Sequence, residues 1–138
     1  MRSACTTTLR AGLLGLLLSI GLVPNALGLE LEIEVAPNVL NLQNSGYIVT
    51  VHTDIAYGEV DAHSVHLNGV LIHSSKADNR GFFVAKFLMD EIQALEGLVI
   101  GGENELLLLG ATVDDPPEAF SGTDWVWVVD NVPVKGGK

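Results

Sequence analysis

The sequence predicts an all-β fold: an antiparallel β-sandwich of seven to nine short strands with one short helical turn. Three observations carry this. Runs rich in β-branched and aromatic residues recur, with turn signals roughly every 8 to 12 residues. Several runs alternate apolar and polar residues, the period-two pattern of a strand with one wet face. Between Val65–Leu67 and Val70–Ile72 lies Asn68-Gly69, a two-residue hairpin signal because both turn positions tolerate positive φ.

The elements follow in order. Leu29–Val35 alternates strictly, with Glu30, Glu32 and Glu34 on one side, and Pro37-Asn38 ends it. Val39–Leu42 is a short apolar segment. Gln43-Asn44-Ser45-Gly46 is a turn, and Tyr47–Thr53 is the next strand. Phe82–Leu88 reads as a strand bounded by Gly81. Asp90–Leu95 is the helical stretch, with Asp90 in capping position, Gln93 three residues on, and Ile92 and Leu95 on one face. Leu98–Ile100 and Glu105–Leu109 flank Gly101-Gly102 as a further hairpin. Leu106–Leu109 shows no polar alternation, which predicts burial on both faces. Asp114–Pro117 is an acidic loop and Trp125–Val129 the closing strand. Such a strand set is that of an immunoglobulin-like or cohesin-like sandwich.

Ahead of this domain stands a leader. Arg2 and Arg10 make a positively charged start, Ala11–Val23 is an uncharged Leu-rich run, and Pro24-Asn25 breaks it. Ala26 and Gly28 then place small residues at −3 and −1 of a cut before Leu29, the layout of a secretory signal peptide. The apolar run spans 13 residues, short of the roughly 20 that cross a membrane as a helix. An uncleaved anchor is the alternative. The expected organisation is a signal peptide over 1–28, a sandwich domain over 29–131 and a flexible tail over 132–138, in a protein that is secreted or periplasmic.

Cleavage leaves 110 residues, one domain's worth. Cys5, the only cysteine, leaves with the leader, so stability must come from an apolar core. The mature part holds five Lys/Arg against 17 Asp/Glu, a formal balance of −12. Such a surface repels phosphate backbones and anionic headgroups, which argues against nucleic acid as a partner. It suits calcium, cationic partners or simple solubility.

A series of short motifs runs through the domain. It comprises Pro37, Leu40-Asn41-Leu42, Gly46, Ile48–Val51, Val60-Asp61, Ser64-Val65, an Asp/Asn/Gly loop before Val84–Phe87, Gly110, and Phe120-Ser121-Gly122-Thr123-Asp124. Together they resemble a small β-sandwich module of secreted bacterial proteins, often the last domain of a larger chain. The likeness spans most of residues 30–129. It implies an extracellular accessory or structural unit without established catalysis, whose middle loop carries an Asp-x-Asn-x-Asp-Gly calcium signature. With Gly81 as the sixth position, positions one, three and five are Lys76, Asp78 and Arg80. Calcium needs oxygen ligands there, so the loop is degenerate, and Lys76 and Arg80 are expected to neutralise charge in the metal's place.

Candidate chemistry is sparse. The four histidines, His52, His63, His66 and His73, do not converge at zinc spacing, since a separation of three in a strand sends His63 and His66 to opposite faces. No Gly-x-Ser-x-Gly elbow surrounds any serine, and the adjacent acids Asp114-Asp115 and Asp90-Glu91 do not face each other across a cleft. Catalysis is not expected. Asp78, Asp114, Asp115 and Asp124 are the candidate calcium ligands; for Asp124, accepting backbone N–H bonds is the favoured role. Trp125 and Trp127, two apart on one strand face, either stack on a sugar ring or fill the core. The uninterrupted apolar closing strand favours the core. The expected function is a non-catalytic binding or structural module engaging a protein or glycan at the cell surface. A carbohydrate-binding module built on the two tryptophans is the alternative.

Overall fold

The computed structural model describes residues 28–131, and residues 1–27 of the expected leader and the tail expected over 132–138 fall outside them. The chain forms β1 (Leu29–Glu30), β2 (Ile33–Ala36), β3 (Val39–Asn41), β4 (Ile48–Ala56), β5 (Val60–Leu67), β6 (Val70–Leu71), β7 (Ser74–Ala77), β8 (Phe82–Leu88), β9 (Gly102–Thr112) and β10 (Ala119–Val129). A 3-10 turn over Tyr57–Glu59 joins β4 to β5, and the short helix α1 (Met89–Gln93) follows β8.

Two sheets result. The six-stranded sheet runs β1-β10-β9-β5-β6, with β3 also paired to β10; the four-stranded sheet runs β2-β4-β8-β7. Pairing is antiparallel except where β1 and β3 meet β10 in parallel. The architecture is the all-β sandwich that the alternating runs predict.

Alternation explains the core. In β4, Val49, Val51, Thr53 and Ile55 point inward while Ile48, His52 and Asp54 face water. Leu106 and Leu108 of β9 and Phe120, Val126 and Val128 of β10 do the same from the opposite sheet. These side chains meet Val35, Phe83, Phe87 and Ile92 in a single cluster. Each fully buried Phe or Leu contributes about 1.5–3 kcal/mol by leaving water, which is how a domain without a disulfide holds together.

The Asn68-Gly69 turn takes positive φ at both residues, 48° and 88°, as its sequence requires. Other local expectations need correction. Leu29–Val35 is not one strand: it pairs with β10 as β1, crosses at Leu31-Glu32, and pairs with β4 as β2. The crossing passes beneath Gly122, where a Cβ would lie 2.7 Å from Ile33 Cγ2 and 2.9 Å from the Leu31 carbonyl. Gly122 is therefore what lets the N-terminal segment change sheets. Asp90 does not cap α1: Leu88 holds the cap position without a side-chain bond, and Asp90 Oδ1 accepts from Gly46 N–H at 3.3 Å. Leu98–Ile100 is not a strand. The side chain of Asn104 replaces hairpin pairing there, accepting from Val99 N–H at 2.6 Å and donating to the carbonyls of Val99 and Gly102.

Candidate functional site

The closing strand is longer than the sequence suggests, eleven residues from Ala119, and its register fixes which way each side chain points. Val126 and Val128 are 2 % and 0 % exposed, so the residues between them must face out. Trp125 is 52 % exposed and Trp127 44 %. The core placement of the two indoles is thus corrected. An apolar run signals burial on both faces only where both faces are covered, and among the described residues nothing packs over the outer face of this sheet. The same correction applies to Leu106–Leu109, of which Leu106 and Leu108 are buried and Leu107 is exposed.

That outer face is built in rows across the strands. Val39, Trp127 and Glu103 form one row through β3, β10 and β9. Trp125 stands opposite Glu105, and Thr123 opposite Leu107. Ser121, Leu109, His66 and Leu71 make a further row towards β6. Val39, Leu107, Leu71 and both indoles are all substantially exposed. The face carries exposed apolar and aromatic side chains interspersed with Thr123, Ser121 and His66, and two glutamates stand opposite the indoles.

Beside Trp125 the sheet has an opening. β1 pairs with Phe120 and Ser121, and β3 with Trp127–Val129, so no described strand pairs with β10 between them on that edge. A cleft of about 560 Å³ lies here, lined by Ile33–Asn38 together with Asp124 and Trp125. A second, of about 470 Å³, lies on the other side of the crossing between Glu30–Ile33 and Ser121–Thr123. Asp124 closes the seam between them: Oδ2 accepts from Val35 N–H at 2.8 Å and Oδ1 from Trp125 N–H at 2.8 Å.

The other candidate aspartates sit elsewhere, each with its own duty. Asp78 Oδ1 accepts from the N–H groups of Arg80 at 2.8 Å and Phe82 at 3.0 Å, fastening the turn between β7 and β8. The Phe82 N–H, the largest influence, with the Arg80 N–H and the nearby guanidinium holds this carboxyl below its ordinary value of 3.8 against an opposing desolvation second only to the Phe82 bond. Arg80 also lies 5.2 Å from the centre of the Phe82 ring. Asp114 Oδ2 accepts from Thr112 Oγ1 at 3.0 Å in the β9–β10 loop, which also contains Asp115. Among the described residues, no three His, Asp or Glu side chains converge as a metal site. Ser64 is likewise occupied, its Oγ accepting from Ala111 N–H at 2.8 Å at the irregularity between β5 and β9.

Sequence reasoning missed Glu103 and Glu105 as partners of the indoles. Cross-strand register joins them, and that is invisible in the linear chain until the β9–β10 pairing is known. Comparison of the chain with protein-family models, with curated proteins and with solved structures finds no match.

Proposed function

We propose that this protein is an exported, non-catalytic binding module and that the outer face of its six-stranded sheet is the ligand-binding surface, with Trp125 and Trp127 as a stacking platform for a glycan. One observation carries the reading: two half-exposed indoles stand two residues apart on a single open sheet face. Rigid, amphipathic rings offer large contact area at little entropic cost, and exposed aromatic patches on a small domain mark interaction sites. The leader's layout supports a site of action outside the cytoplasm. The groups on this face are suited to contact rather than turnover, and the hydroxyl of Ser64 and the carboxylate of Asp124 are engaged in holding the fold.

The test is direct because Trp125 and Trp127 are the chain's only tryptophans. A panel of soluble oligosaccharides is titrated against intrinsic fluorescence, and insoluble polysaccharides are used in co-sedimentation. Saturable emission changes, lost in Trp125→Ala and Trp127→Ala variants that still melt cooperatively, support the platform. Retention of full affinity by both variants overturns it.

A further inference from the structure

We propose that the ligand of the tryptophan face is a cationic glycan, a polymer of sugars bearing free amino groups. This rests on the stacking platform proposed above and specifies what it selects.

Each indole has its own carboxylate. Glu103 is opposite Trp127 and Glu105 opposite Trp125, all four exposed on the same face. Residues directly opposite in an antiparallel pair have Cβ atoms about 4.5–5.5 Å apart. An ammonium group lying over either ring therefore meets a carboxylate beside it, combining cation–π attraction with a charge-assisted hydrogen bond. The two Trp–Glu pairs repeat at a spacing of about 7 Å along the strands, a step suited to a ligand with a regular repeat.

Charge is segregated between the sheets in the same sense. Lys76, Arg80 and Lys86, the described cations, belong to β7, the β7–β8 turn and β8, all within the four-stranded sheet. No described lysine or arginine is carried by the strands of the six-stranded sheet, whose basic residues are His63 and His66 of β5, away from the two indoles. A polyanion such as a uronic-acid or sulfated polymer would meet uncompensated like charge on this face. A polycation meets complementary charge and is also drawn by the protein's overall negative field.

The experiment titrates the purified protein with glucosamine, N-acetylglucosamine and glucose hexamers of matched linkage, and with an oligolysine, at mildly acidic pH and at low and high salt. Tryptophan emission reads every titration. The expected result is that the glucosamine hexamer binds at least about tenfold tighter than either neutral sugar, and that high salt erases the margin. Glu103→Gln and Glu105→Gln, isosteric changes on exposed residues, are expected to erase it too. Equal, salt-insensitive binding of all three sugars overturns the charge selection and leaves the platform standing. Absence of binding by any sugar overturns both. Oligolysine binding as tightly as the glucosamine hexamer, with the same Glu dependence, overturns the glycan in favour of a basic protein segment.

Discussion

The two outer faces of this sandwich obey the same alternation and end up with different surfaces. On the four-stranded sheet, Val84 points outward yet is 0 % exposed, lying in register between His52 of β4 and Lys76 of β7. Glu34 and Lys86 extend the polar cover to either side. Long charged side chains lay their stems over such a residue and keep their heads in water. On the six-stranded sheet the equivalent rows hold Val39, Trp127, Trp125, Leu107 and Leu71, and among the described residues no lysine or arginine covers them. One face is finished against water, and the other is left open. Nothing in the core demands the open face, since Val126 and Val128 supply the packing from the opposite side of the same strand. That contrast is what supports the proposal of a contact surface on the open face.

Four measurements break or sharpen this contrast, beginning with the largest effect. Val128→Asp puts an unpaired carboxylate at a fully buried position and is expected to cost more than about 4 kcal/mol, leaving no cooperative thermal transition. Trp127→Asp, one residue earlier but facing out, is expected to keep that transition. If both variants unfold, the two sides of β10 are not different. Second, Val84→Ala removes covered apolar volume and is expected to cost about 2 kcal/mol in a urea melt. A cost near zero would mean that the polar side chains around Val84 give it no real cover.

Third, Trp125→Ala and Trp127→Ala are each expected to shift stability by less than about 1 kcal/mol. Native emission should be red-shifted and readily quenched by acrylamide, and blue-shifted, protected emission would place the indoles inside. The smallest effect concerns Asp78, on the charged side of the molecule. Its folded pKa is lowered from 3.8, so the stability it adds is present above that value and lost as pH falls through the lower folded one. The melting temperature of wild type should therefore exceed that of Asp78→Asn above about pH 4, with the gap narrowing in stronger acid. A gap that widens on acidification would contradict the sign.

Much of the fold is legible in the linear sequence because it depends on local chemistry. Period-two alternation in Ile48–Ala56, the Asn68-Gly69 turn and Gly81 before Phe82–Leu88 each specify an element without reference to the rest of the chain. The split of Leu29–Val35 between sheets is not legible, because it depends on space left by Gly122 some ninety residues later. Trp125 and Trp127 were recognisable as a same-face pair, but their exposure was not. Whether a sheet face is covered depends on what packs there, and composition alone does not record that. The aspartates illustrate the same limit. Their types suit a cation, yet Asp78 is engaged by N–H groups two and four residues along its own turn, and Asp124 takes the expected N–H-accepting role with one partner, Val35, that only folding brings near.

The position of β10 at the end of the domain bears on the order in which the chain can assemble. β1 and β3 have β10 as their only described strand partner, and the bonds that seat the first segment reach across 89 residues from Val35 to Asp124 and 90 from Asn41 to Asn131. A ribosome releases the N-terminal end first, so β1 and β3 must wait, extended and unpaired, until almost the whole domain has been made, while β2 between them finds β4 much sooner. During that wait Glu30, Glu32 and Glu34 repel the matching segments of neighbouring nascent chains, which carry the same three charges. The alternating glutamates thus guard the apolar side of the segment against pairing with the wrong molecule before its own last strand arrives.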